Sequence, residues 1–104
     1  MTTKKLVRVD YSRRGFRDLI ACSRWWREHH PSTSKQFDEE YEAAIAFLKL
    51  NPEGAPATQT PRYKHARSKV LIETGHVVVY RYTNSTRVIL ILGVLASNAM
   101  PQRP

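Results

Sequence analysis

The run from His76 to Leu95 constrains this chain more than any other part of it. His76 to Tyr82 reads HVVVYRY, nearly continuous in apolar, β-favouring residues; after the polar stretch Thr83-Asn84-Ser85-Thr86, Arg87 to Leu95 is apolar again. Two such runs joined by so short a turn predict an antiparallel pair of strands. The continuity of the first run places it in the middle of a sheet. Lys69 to Thr74 is a third strand-like run, separated from His76 by the turn residue Gly75. Near the N-terminus, Leu6 to Tyr11 alternates, with Val7, Val9 and Tyr11 on one face and Arg8 and Asp10 on the other, as in a half-buried strand.

Between these strands the period changes. Ser12 can cap a helix, and Phe16, Leu19, Ile20, Ser23 and Trp26 then recur at helical spacing up to about Pro31. Gly15 is a poor early helix residue, costing about 1 kcal/mol against Ala. A second helix is expected to start within Pro31 to Ser34, where Thr33 and Gln36 have capping-box spacing. Phe37, Tyr41, Ala44, Ile45 and Leu48 form its apolar stripe, and Asn51-Pro52 stops it. So short a link predicts an antiparallel helical hairpin. Glu53 to Ala66 reads as a loop. The expected architecture is therefore a two-layer α/β (α+β) fold of order β-α-α-β-β-β, the hairpin packed on one face of a small, mainly antiparallel sheet.

The chain of 104 residues is expected to form a single domain, ordered from about 6 to 95 with short polar tails. A single cysteine, Cys22, excludes an internal disulfide. The polar start Met1 to Lys5 and the absence of an apolar run of membrane-spanning length predict a cytoplasmic protein with no membrane partner. The 17 Lys and Arg against 9 Asp and Glu favour a polyanion or an acidic protein as partner. The imbalance is sharpest after Gly54, where Glu73 is the single acid against Arg62, Lys64, Arg67, Lys69, Arg81, Arg87 and Arg103, with Tyr63, His65 and His76 among them. This stretch is read as a binding face for nucleic acid or for an acidic protein segment.

The leading strand, the amphipathic helix pair and the final segment ETGHVVVYRYTNSTRVILILGV resemble the RelE/ParE superfamily of bacterial toxins of type II toxin–antitoxin systems. The resemblance spans about Leu6 to Leu95, with its late motif in Val77 to Tyr80, Asn84 to Arg87 and Val88 to Val94. It implies the first strand beside the last. RelE-like members cut mRNA in the ribosome with a basic and aromatic cluster on the sheet's concave face. The arginine such enzymes carry early in the central strand falls here on Val77, and their lysine positions in the preceding strand fall near Ser68 and Val70. Arg67 and Lys69 are one residue off, which in a strand is the opposite face. The basic or histidine-bearing tail corresponds to Ala96-Ser97-Asn98-Ala99-Met100-Pro101.

The resemblance therefore leans to the ParE-like side, whose members poison DNA gyrase, and away from an enzyme. It implies a cognate antitoxin with an acidic, partly disordered C-terminal segment, in a toxin–antitoxin hetero-oligomer. The second reading is a ribosome-dependent mRNA endonuclease using Arg67, Lys69, His76 and Arg81. The third is a non-toxic basic binding module. Target contacts are assigned to Arg62, Lys64, Arg67, Lys69, Arg81 and Arg87. Antitoxin contacts are assigned to Trp25, Phe47 and Leu50, apolar residues off the core stripe.

The remaining signals have plainer readings. His29-His30 lacks a completing ligand set and reads as a solvated helix end, so no metal and no cofactor is expected. Cys22 reads as core rather than nucleophile. Trp26 fits the core stripe, with Trp25 beside it. Asp38, Glu39, Glu40 and Glu42 read as a solvated face that suits the helix dipole.

Overall fold

The computed structural model describes residues 6–58 and 61–96. The tail positions discussed above, Met1 to Lys5 and Ser97 to Arg103, lie outside them. Strand β1 (Arg8–Tyr11) leads into helix α1 (Arg13–His29), a 3-10 turn at Pro31–Thr33 and helix α2 (Gln36–Leu50); a 3-10 turn at Pro61–Tyr63 then precedes β2 (Arg67–Leu71), β3 (His76–Thr83) and β4 (Val88–Ala96). The sheet order is β1-β4-β3-β2. β3 is central as expected, and the first strand lies parallel beside the last, with Arg8 opposite Val88. The other two pairings are antiparallel.

Local signals are realised where they compete with nothing. The Ser12 hydroxyl accepts the Gly15 N–H at 3.0 Å, capping α1. α2 ends at Leu50 with Asn51 as its cap. The hairpin follows, since Ser23 bonds Asp38 at 2.7 Å and Ile20 faces Tyr41 and Glu42 across a cleft. The expected start of α2 is corrected: no side chain caps the helix, and it begins at Gln36. Pro31–Thr33 is instead a turn whose Thr33 carbonyl accepts the Trp26 indole N–H at 2.9 Å.

The helices cover one face of the sheet. Phe37, Leu48, Leu71, Val78, Tyr80, Ile89 and Ile91 are sealed there with Trp26, Tyr41 and Ala44, each large side chain contributing about 1.5–3 kcal/mol by burial. The other face is not bare. Tyr63 and Ala66, from the stretch expected to be plain loop, lie against Val77 and Val79, with Leu92 and Leu95 packed at the edge. That second cover explains why β3 is apolar on both faces. A bulge keeps both faces consistent: Val79 pairs with Gly93 but Tyr80 with Ile91, which leaves Leu92 as the extra residue. Ile89 and Ile91 on one side of the bulge, and Val94 on the other, thereby reach the same core.

β1 ends opposite Ile91, so the outer edge of β4 beyond it needs other partners. Helix α1 supplies them. The Ser12 N–H donates to the Ile91 carbonyl at 3.0 Å, Asp18 accepts the Val94 N–H at 3.2 Å, and the Cys22 thiol points at the Val94 carbonyl at 3.7 Å. Gly15 permits this approach, because a Cβ there would run into the Ile91 carbonyl.

β2 is Arg67–Leu71 rather than the expected Lys69 to Thr74. Ile72 to Gly75 form the turn, with Gly75 N–H donating to the Leu71 carbonyl at 2.8 Å and Gly75 at φ 77°. Glu40 of α2 fastens this turn, accepting the Glu73 N–H at 2.7 Å, the Thr74 N–H at 3.0 Å and the Thr74 hydroxyl at 2.7 Å.

Candidate functional site

The strand register decides where the basic residues go. Arg67 sits opposite Tyr80 and Lys69 opposite Val78, both on the helix-covered face. The Arg67 guanidinium donates to the Ala55 carbonyl at 2.8 Å. The Lys69 ammonium lies 4.6 Å over the Phe47 ring of α2. Arg81 alternates with Val77 and Val79 and so lies on the second face, where it donates to the Lys64 carbonyl at 2.9 Å. Arg62 and Lys64 flank Tyr63 there and are exposed. Arg87 closes the β3–β4 turn with φ 56°, its carbonyl accepting the Arg8 N–H at 3.0 Å. The six residues assigned to target contact are thus divided between two faces and a turn. Arg67 and Lys69 share the helix-covered face, while Arg81 meets the Lys64 backbone on the second face, with Arg62 two residues before Lys64.

His76 is 4% exposed and belongs to the helix side. Its ring meets Phe37 at 4.7 Å and Trp26 at 6.2 Å, both edge-on. Nδ1 lies 3.1 Å from the Thr74 hydroxyl, which itself donates to Glu40. Burial pulls the imidazole below its ordinary pKa, opposed by the Thr74 contact and the Glu40 charge. His76 is therefore a neutral core residue at pH 7, on the face of the sheet opposite to Arg81.

The three residues assigned to antitoxin contact are all exposed, Trp25 on α1 and Phe47 with Leu50 one turn apart on α2. Trp25, 48% exposed, sits near the end of α1 beside an apolar pocket of about 740 Å³ that Cys22, Trp26, His30, His76 and Ala96 also line. Phe47 lies under Lys69 at the β2 edge, and Leu50 ends α2, 84% exposed. A further cleft of about 520 Å³ lies between β1, α1 and α2, floored by Val9, Leu19 and Ile45. Tyr11, Phe16 and Ile20, all exposed, extend its apolar rim.

Two of the plainer readings change in detail, and that for Cys22 does not. His29 and His30 do not simply dangle in water, since they stack on Trp25 at 4.1 Å and on Trp26 at 3.8 Å. Two of the four acids of α2 are tied down: Glu40 holds the β2–β3 turn, and Asp38 accepts from Ser23 and pairs with Arg27 at 3.6 Å. Cys22 packs against the core, and burial with the Asp18 charge pushes its thiol up to about 11, so it stays protonated at neutral pH.

Residues 9–99 match the family model for the ParE toxin of type II toxin–antitoxin systems, parDE. The chain belongs to the ParE toxin family. Solved structures share the fold. A chain of the chromosomal ParDE toxin–antitoxin system from P. aeruginosa superimposes with a TM-score of 0.68 at 16% identity, covering 88% of this chain and 96% of that one. The isolated E. coli RelE toxin gives a TM-score of 0.53 at 16% identity, covering 94% of this chain and 87% of that one. No curated protein matches the sequence significantly. As a ParE-family toxin the chain is one half of a toxin–antitoxin pair, and no helix among its described residues is long and apolar enough to cross a membrane.

Proposed function

We propose that this ParE-family toxin arrests growth as a binding inhibitor of DNA gyrase in the cytoplasm, and that an antitoxin with an acidic, partly disordered C-terminal segment neutralises it. The observation that carries the reading is that Arg81 lies on the opposite sheet face from Arg67, Lys69 and His76, and that these three are engaged with the helix layer. Cleavage of RNA through its 2′-oxygen needs cationic donors and a base converging on one phosphate. Here His76 is sealed between aromatic rings, Arg67 and Lys69 are occupied under the helix layer, and Arg81 faces the other way. This supports a protein-binding role over the nuclease one. The target face is then Arg62, Lys64 and Arg81 around Tyr63.

The test pairs two assays on the purified toxin. Supercoiling by gyrase should be inhibited, and mRNA on programmed ribosomes should stay intact. Codon-specific cuts with gyrase unaffected would establish the endonuclease instead. No growth arrest on expression without the neighbouring antitoxin frame would leave the non-toxic binding module standing.

The antitoxin reading rests on the exposed apolar residues. Trp25 lies near the C-terminal end of α1, and Phe47 and Leu50 lie one turn apart at the C-terminal end of α2, so a partner segment that reaches all three runs along the hairpin. Trp25→Ala is expected to weaken the complex by about 1–3 kcal/mol, the range of an aromatic anchor. Raised salt should slow association more than it speeds release. Unchanged affinity with a salt-independent on-rate, measured against the neighbouring frame's product, would place the grip elsewhere.

A further inference from the structure

Helix α1 carries five arginines and no lysine. At 3.6 residues per turn, Arg13, Arg17, Arg24 and Arg27 fall within an arc of about 80°, and Arg14 flanks it. Gly15, Leu19, Cys22 and Trp26 hold the opposite side against the sheet. All five arginines are exposed. Arg27 pairs with Asp38. Arg13, Arg14, Arg17 and Arg24 have no carboxylate partner among the described residues. The helix has two acids of its own: Asp18 is engaged by the Val94 N–H, and Glu28 lies near the C-terminal end.

This arrangement works against the helix that bears it. Arg13 and Arg14 occupy the first turn, where no acid is present and the helix dipole disfavours cations. Arg13 and Arg17 repel each other at i,i+4. A surface serving solubility alone would not need this placement, nor arginine to the exclusion of lysine. Guanidinium differs from ammonium in gripping phosphate through two parallel N–H groups.

We propose that the solvent face of α1 binds the phosphate backbone of duplex DNA. The stripe from Arg13 to Arg27 is about 21 Å long on a rigid element, enough to touch several phosphates of a duplex at fixed spacing. Ile20 lies within the arc and the exposed Phe16 at its border, and guanidiniums held at fixed spacing on a rigid helix match the regular phosphate spacing of a duplex rather than a flexible single strand. The surface carries no base-reading device and binds without sequence preference. It is separate from the Arg62, Lys64 and Arg81 face, and the proposal stands whether or not gyrase is the target.

The test is anisotropy of a labelled mixed-sequence DNA duplex, titrated with the purified chain over a series of KCl concentrations. Four guanidiniums each holding one phosphate give a slope of log affinity on log salt of about −3 to −4. Arg17→Gln with Arg24→Gln should flatten the slope by about 2 and weaken binding about tenfold or more at low salt. Lys35→Gln with Lys49→Gln removes the same charge from the two ends of α2 and should leave the slope nearly unchanged. The arginine variant should melt at or above the parent's temperature. Three results would each overturn the proposal: equal effects of the two double variants, a lower melting temperature for the arginine variant, or polyglutamate binding as tightly as the duplex at the same salt.

Discussion

Glu40→Ala tests how the helix layer is fastened to the sheet. Glu40 accepts three hydrogen bonds from the turn between β2 and β3, at 2.7, 3.0 and 2.7 Å, two from backbone N–H groups and one from the Thr74 hydroxyl. Hydrogen bonds to a charged group contribute about 1.5–3 kcal/mol each when shielded from water. The Glu73 N–H and the carboxylate are partly exposed here, so water replaces some of what is lost. About 2 kcal/mol in total is a fair expectation, with a fall in melting temperature of about 8–16 °C for a domain of this size. Glu40→Gln keeps one acceptor oxygen but turns an NH2 group toward donors, and should lose about half as much. Urea unfolding followed by tryptophan fluorescence gives the free energies, and hydrogen exchange at the Glu73 and Thr74 amides reports the turn directly. A loss below about 0.5 kcal/mol for Glu40→Ala, with those amides still protected, would refute the reasoning.

Gly15→Ala, which helix propensity alone would make stabilising by about 1 kcal/mol, is expected to destabilise by about 3 kcal/mol or more, because the added methyl meets the Ile91 carbonyl; chemical denaturation decides the sign. Tyr63→Phe removes a buried hydroxyl that has no hydrogen-bond partner among the described residues, and should leave stability unchanged or raise it by about 1 kcal/mol; a loss in the same assay would reveal a partner for it. His76 has a lowered pKa in the folded chain, so below its ordinary 6.5 the unfolded state binds more protons. Stability should therefore fall as pH drops from about 6.5 through the folded pKa, and His76→Phe should flatten that limb in melts at pH 7 and pH 5.

Much of the fold was legible along the chain because its causes are local. The Ser12 cap, the Asn51 stop, the stripe Phe37, Tyr41, Ala44 and Leu48, and the apolar continuity of Val77 to Tyr80 each express a period or a terminus that neighbouring residues determine by themselves. Those signals sufficed for the element order, the helical hairpin and the pairing of the last two strands. Long-range contacts decided the rest. The β2 turn begins at Ile72 because Glu40, more than thirty residues earlier, holds Glu73 and Thr74. Gly15, unfavourable by propensity, is required by the carbonyl of Ile91. The loop before β2 covers a second sheet face because Tyr63 and Ala66 bury there. A basic residue's type is written in the sequence, but in a strand its face depends on register. Register is set by the partner strand and by a bulge at Leu92. Hence the same count of arginines and lysines read as one continuous patch along the chain, and became two separated faces once β2 and β3 were paired. Along the chain the arginines of α1 are spacers between apolar residues. Only the packing of Trp26 and Leu19 against the sheet turned them together toward solvent.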